Sequence, residues 1–243
     1  MLLNAGAPTV TATATRLRRL GAEFIGTGGL VAAVVGSGIM ATRLTPDVGV
    51  QLLINAVATV AALAVLIWSL GPISGAHFNP CVTVVAAARR ELPWREAAAF
   101  IGVQIAGGLL GAVLANLMFD LPAVTASTRD RAGSGLWLGE VVATAGLIAL
   151  IGALTRSGQG HLGPALVPTW IGAAYFFTSS TSFANPAVTI GRSITDSFSG
   201  IAPASVGAFI VAQFVGAGIG ALLIEAFYPV TASRAAAPSD PSA

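Results

Sequence analysis

Gly71-Pro72-Ile73-Ser74-Gly75-Ala76-His77-Phe78-Asn79-Pro80 sits inside a stretch, from Asp47 to Arg89, whose interior holds no Asp, Glu, Lys or Arg. Gly, Pro, Asn and His make poor lipid-facing backbone, and irregular backbone at membrane depth is tolerated only where it lines a cavity or is buried in protein. A second run of this kind, Thr178-Ser179-Ser180-Thr181-Ser182-Phe183-Ala184-Asn185-Pro186, lies between Arg156 and Arg192. Both read as re-entrant loops that lead into short helices. The reading requires a membrane, and the composition of the 243 residues, 55% hydrophobic and 9% charged, requires one too. Soluble domains carry about 25% charged residues, so too few charges exist here to cover a water-facing surface.

Spanning helices need about 20 mostly apolar residues. Six stretches near that length stand between the charges: Leu20 to Met40, Val48 to Leu70, Ala97 to Phe119, Leu136 to Leu154, Gly163 to Phe177 and Pro203 to Phe227. Six spans put both termini on one side. Arg16, Arg18, Arg19, Arg89, Arg90, Arg95, Arg156 and Arg234 then share that side, against Arg43, Arg129, Arg131 and Arg192 on the other. The positive-inside rule makes the shared side cytoplasmic and the chain a multi-pass protein of the cell inner (plasma) membrane.

Three landmarks recur in one order. Phe100 to Ala112 (FIGVQIAGGLLGA) returns as Phe209 to Ala221 (FIVAQFVGAGIGA), Asn79-Pro80-Cys81-Val82-Thr83 as Asn185-Pro186-Ala187-Val188-Thr189, and Glu23 as Glu140. Each copy holds three spans, an odd number, so the second is inverted relative to the first, with a site expected near the midplane. The expected organisation is a cytoplasmic arm over 1–18, a first repeat over 19–130 with a half-helix at 79–90, a second repeat over 131–228 with a half-helix at 185–196, and a disordered cytoplasmic tail over 229–243. The fold class is all-α membrane protein, with six transmembrane helices and two re-entrant half-helices in an inverted repeat. Two half-helices of about 10 residues, each about 15 Å long, together cross a hydrocarbon core of about 30 Å. Proline tolerates the first helical position and the preceding Asn caps it. Asn79 and Asn185 then each present an amide at the membrane centre, where the positive ends of both half-helices disfavour cations.

With these features the chain resembles the aquaporins, or major intrinsic proteins, over nearly its whole length from Arg19 to Phe227. The resemblance rests on the two Asn-Pro boxes, the Ser74-Gly75-Ala76-His77 lead-in, and the paired Glu and Gln residues. It implies a homotetramer with one pore per protomer, surrounded by membrane lipid. The chain departs from the family pattern at Cys81, where Ala is usual, and at Val188, where water-selective members carry Arg. Spacing from the boxes places the family's four constriction positions at Thr59, Ala173, Ser182 and Val188, three small residues and one aliphatic, and so implies a wide, mildly polar passage. Val188 within Asn-Pro-Ala-Val-Thr-Ile-Gly-Arg resembles bacterial aquaporins encoded beside arsenic-resistance genes. The implied permeants are water, glycerol-like polyols, and neutral arsenous acid or methylated arsenicals, with ions and protons excluded.

Individual residues leave alternatives open. Cys81 reads as a small packing residue between half-helices or as a thiol near the pore. Glu23 and Glu140 are intramembrane acids and hence functional candidates; they either couple protons, or, as the resemblance implies, brace the loops beside His77 and Ser180. Gln104 and Gln213 read as interhelical hydrogen-bond donors, and the Gly107-xxx-Gly111 and Gly216-xxx-Gly220 pairs as close helix contacts. Arg192 follows Val188 by one helical turn, so it either narrows the pore mouth and makes a largely water-selective channel, or snorkels to the interface. A secondary transporter using Glu23 and Glu140 is the alternative from another class. One cysteine and two separated histidines leave no metal cluster or internal disulfide. Scattered arginines argue against a nucleic-acid partner, and no cofactor or enzymatic chemistry is expected.

Overall fold

The computed structural model describes residues 15–229, and all regular structure among them is helical. The expected arm before residue 15 and tail after residue 229 lie outside the described residues. The long helices are α1 (Arg16–Leu44), α2 (Val48–Ser74), and, after the short α3 (Pro80–Ala88), α4 (Trp94–Met118) and α5 (Ser134–Arg156). Then follow α6 (Gly163–Phe177), the short α7 (Pro186–Arg192) and α8 (Pro203–Phe227). Local chemistry sets the ends. The Val50 N–H donates to Asp47 at the start of α2 (2.9 Å), and Gly75, at φ 94°, closes its far end in a left-handed conformation that glycine adopts without strain.

Among the described residues, five helices are long and apolar enough to cross a membrane. The sixth expected span, α6, has 15 residues and is preceded by a 3₁₀ turn, Gly160–Leu162. At 1.5 Å per residue α6 is about 22 Å long, short of a hydrocarbon core of about 30 Å. The half-helices are also shorter than expected. The first stops at Ala88 because Arg90 turns left-handed (φ 63°) and Pro93 follows. The second stops at Arg192, four residues early, because the carbonyls of Ser193 and Ile194 accept the N–H groups of Ser127 and Thr125 (both 3.0 Å). A connecting loop from the first repeat thus takes the hydrogen bonds that would have extended α7.

Helix α1 packs on α2 and α4, α5 on α6 and α8, and α2 meets α6 between the two repeats. In lipid, contact between helices depends on close packing rather than on hydrophobic burial. A Cβ on Gly107 or Gly111 would overlap the carbonyl oxygens of Phe24 and Gly28 on α1, and one on Gly216 or Gly220 those of Val141 and Ala145 on α5. The half-helices interlock with the opposite repeat, α7 against α4 and α3 against α8, and they touch each other. Large apolar side chains such as Val57, Trp68, Leu114, Val211 and Leu222 face outward, while Glu23, Gln104, Glu140 and Gln213 are fully buried. The polar groups sit inside, where the site is built.

Candidate functional site

The two loops before the Asn-Pro boxes share one backbone path. Ala76 and Phe78 in the first, and Ser182 and Ala184 in the second, all have φ between 47° and 50°. Non-glycine residues seldom adopt this region, and it costs about 1–2 kcal/mol per residue, so something must hold it. In the first loop Glu23 accepts the Ser74 hydroxyl (2.6 Å), the His77 N–H (3.0 Å), the Phe78 N–H (2.8 Å) and the Gln104 amide (2.7 Å). In the second, Glu140 accepts the N–H groups of Phe183 and Ala184 (both 2.9 Å) and the Gln213 amide (2.6 Å), while Ser180 Oγ accepts the Ser182 N–H (3.3 Å) in the same loop. Each Gln donates a second bond to Thr83 or Thr189 (both 2.9 Å), whose hydroxyl in turn caps the Asn carbonyl. His77 completes the first network through its Nδ1 and the Thr83 hydroxyl (3.1 Å).

Asn79 and Asn185 cap their half-helices by accepting the N–H of Cys81 (2.9 Å) and of Ala187 (3.0 Å). Each also donates across the centre. Asn79 Nδ2 bonds the Ala184 carbonyl and Asn185 Nδ2 bonds the Phe78 carbonyl, both at 2.7 Å. The reciprocity is what a two-fold relation between inverted repeats requires. Each amide nitrogen has two hydrogens, so one remains on each for a solute. Both side chains line a cavity of about 350 Å³ that extends from Arg89 and Glu91 at one end to Thr59, Ser182 and Val188.

Thr59, Ser182 and Val188 line this cavity, as spacing from the boxes predicts, but Ala173 does not. Ala173 is exposed on the outside of the bundle. The stripe of α6 that faces the cavity is Gly163, Val167, Ile171 and Tyr175, four residues apart as one helical face demands. On α6 it is Tyr175, ten positions before Asn185, rather than Ala173, twelve before it, that lines the cavity. Its hydroxyl meets Thr59 Oγ1 at 3.3 Å. The expectation of a wide ring of small residues is corrected accordingly: one wall carries an aromatic side chain. Ser182 Oγ has no hydrogen-bond partner among the described residues.

Arg192 fits neither expectation. It is 2% exposed, so it does not snorkel, and it is absent from the cavity wall. Its Nε donates to the Ser199 carbonyl, and its guanidinium lies 3.4 Å from the centre of the Phe183 ring. Arg131, from the loop between α4 and α5, stacks on the same ring at 4.9 Å and donates to the Gly200 carbonyl (2.9 Å). Burial pushes the Arg131 pKa down to about 10, with Arg129 adding to the effect. Spacing carries no signal for this pair of stacked arginines, because the position of the Phe183 ring depends on the loop path. Cys81 is fully buried among Ile148, Ala217 and Ile224 and does not line the cavity. No group of three or more His, Cys, Asp or Glu capable of holding a metal exists among the described residues.

Comparison with known proteins agrees with this architecture. The chain is 52% identical to the aquaglyceroporin AqpS of Rhizobium meliloti (strain 1021) over 200 residues, 82% of this chain and 85% of that one. It is 31% identical to Aquaporin-7-1 of Laccaria bicolor over 244 residues, 85% of this chain and 73% of the other. The X-ray structure of the aquaglyceroporin from Plasmodium falciparum shares the fold, with a TM-score of 0.65 at 16% identity over 89% of this chain and 97% of that one. Residues 10–183 match the family model of the major intrinsic proteins. With two crossed Asn-Pro half-helices inside a helical bundle, the chain belongs to the major intrinsic protein family of membrane channels.

Proposed function

We propose that the protein is a passive channel for water and small uncharged solutes rich in hydroxyl groups: glycerol-like polyols and neutral arsenous acid or its methylated forms. The carrying observation is the lining of the cavity near Val188. Thr59, Tyr175 and Ser182 offer three hydroxyls, that of Ser182 unpartnered, with Val188 completing the ring. A polyol has the same division, hydroxyls on a short carbon chain, and so finds both a hydrogen-bonding and an apolar wall. A water-only pore needs Arg192 to narrow the passage, whereas Arg192 is stacked on the Phe183 ring and does not line the cavity. The transporter reading requires free carboxylates, whereas both oxygens of Glu23 and of Glu140 hold loop N–H groups. The arginine distribution supports cytoplasmic termini in the cell inner membrane, and the family resemblance supports a homotetramer. Stopped-flow light scattering on proteoliposomes tests the channel directly, with glycerol and water fluxes expected to rise well above those of empty vesicles. Uptake that needs a proton or sodium gradient, or that runs against the solute's own gradient, overturns it.

The central amides give a second test. Asn185→Asp removes the donor to the Phe78 carbonyl and places a carboxyl group where the half-helix dipoles oppose cations. We expect glycerol flux to fall about tenfold, the scale of one lost hydrogen bond to a charged or buried partner, with measurable proton leak. Asn79→Asp is the mirror experiment. Unchanged glycerol and proton fluxes, in protein shown to be inserted, exclude these amides from the mechanism.

A further inference from the structure

Val188 gives this end of the cavity no fixed charge of its own, yet two guanidinium groups stack on Phe183, a residue of its wall. Phe183 lines the channel between Ser182 and Ala184. Arg192 lies 3.4 Å from the ring centre and Arg131 4.9 Å from it, while the ring edge meets Phe209. Neither arginine has a carboxylate within ion-pair distance among the described residues. The acids of this region are otherwise engaged: Asp130 by the Ser205 hydroxyl, Asp196 by Thr128, and Glu140 by the loop N–H groups. Burying a cation without a counter-ion is costly. Stacking on an aromatic face and one carbonyl each offset part of that cost. An intramembrane charge kept at such cost is a functional candidate.

We propose that Arg192 and Arg131, held on Phe183, form the electrostatic barrier to cations at the Val188 end of the channel. The inference rests on the channel reading above. An arginine projecting into a pore does two jobs at once: it repels cations and it narrows the passage. Here the jobs are separated. Coulomb repulsion reaches the passage from guanidiniums stacked on a residue of its wall, in a setting of low dielectric where it is strong. The guanidiniums themselves stay out of the passage, so hydroxylated solutes wider than water pass a ring that remains positive for protons and metal cations. Phe183 holds both guanidiniums, and the carbonyls of Ser199 and Gly200 fix where the charges stand.

The test compares charge with anchoring. In proteoliposomes carrying Arg192→Gln, Arg192→Lys, Arg131→Gln and the double Arg192→Gln/Arg131→Gln variant, proton and potassium leak are measured under an imposed membrane potential, with glycerol flux measured in the same vesicles. The ratio of cation to glycerol permeability is expected to rise about tenfold in Arg192→Gln and further in the double variant, and to stay near that of the parent protein in Arg192→Lys. A role confined to tying the Ser199 segment predicts the reverse, with Lys as leaky as Gln; that result overturns the proposal, as does an unchanged ratio in the double variant. Should Arg192→Gln fail to insert, Arg131→Gln decides alone, since Arg131 belongs to a loop: a risen ratio sustains the barrier and an unchanged one removes it. A parent protein that conducts no glycerol sinks the channel reading instead, and cation leak per inserted protein then reads the barrier separately.

Discussion

Glu140→Leu is expected to leave almost no conducting protein in the membrane, and Glu140→Gln to lose most of the flux. The carboxylate accepts the Phe183 and Ala184 N–H groups and the Gln213 amide at full burial. Each buried donor left without a partner costs about 1–3 kcal/mol. The bonds lost are also those that hold Thr181, Ser182 and Ala184 at positive φ, so the loop has cause to relax once they are gone. Ala184 then withdraws the carbonyl on which Asn79 rests, and damage in one repeat reaches the box of the other. Glutamine preserves the shape but points two hydrogens at backbone donors. Melting in detergent, followed by tryptophan fluorescence, should fall by about 5–15 °C, given about 2–4 °C per kcal/mol for a chain of this size. Glu225→Gln is the contrast, because Glu225 is an exposed acid paired with Arg156 and Arg89, and such pairs contribute about 0–1 kcal/mol. Equal melting temperatures for the Glu140 and Glu225 variants would contradict the bracing role.

Much of this architecture is legible in the sequence because the chain states it twice. Asn79 and Asn185, Glu23 and Glu140, and Gln104 and Gln213 recur in order, and the hydrogen bonds recur with them. What the sequence hides lies where the copies diverge. His77 and Phe183 occupy matching positions, yet one bonds a threonine while the other carries two arginines. Helix α6 is apolar almost all round, so no polar stripe shows which face meets the channel, and counting back from Asn185 lands on Ala173 instead of Tyr175. The early end of α7 is equally invisible, because it depends on hydrogen bonds from a loop some 65 residues away in the chain. Arg192 follows Val188 by one turn on α7, but the direction of its side chain is set by the Phe183 ring, and no local rule encodes a loop-borne aromatic.

Val188→Arg should convert the channel toward water selectivity. The cavity wall carries hydroxyls from Thr59, Tyr175 and Ser182 beside the aliphatic Val188. A guanidinium in place of the isopropyl group supplies a rigid fork of donors and a permanent charge, and it occupies part of the passage. Had Ala173 stood in the ring, one arginine would have left a gap. With Tyr175 there, and its hydroxyl already joined to Thr59, the remaining space is smaller. Glycerol and arsenous acid permeation should therefore fall about tenfold or more while water falls only about two- to threefold, since small steric differences in a pocket discriminate over this range. The new charge also stands one turn from Arg192, a like-charge neighbour, so the variant's melting temperature must be measured beside its flux. Val188→Leu separates the two contributions, because it adds bulk without donors or charge. Leu matching Arg in its glycerol-to-water ratio means that size alone sets selectivity at this position. If Arg leaves the ratio of the parent protein unchanged, Val188 is not in the constriction, and the ring of Thr59, Tyr175 and Ser182 must be closed by some other residue.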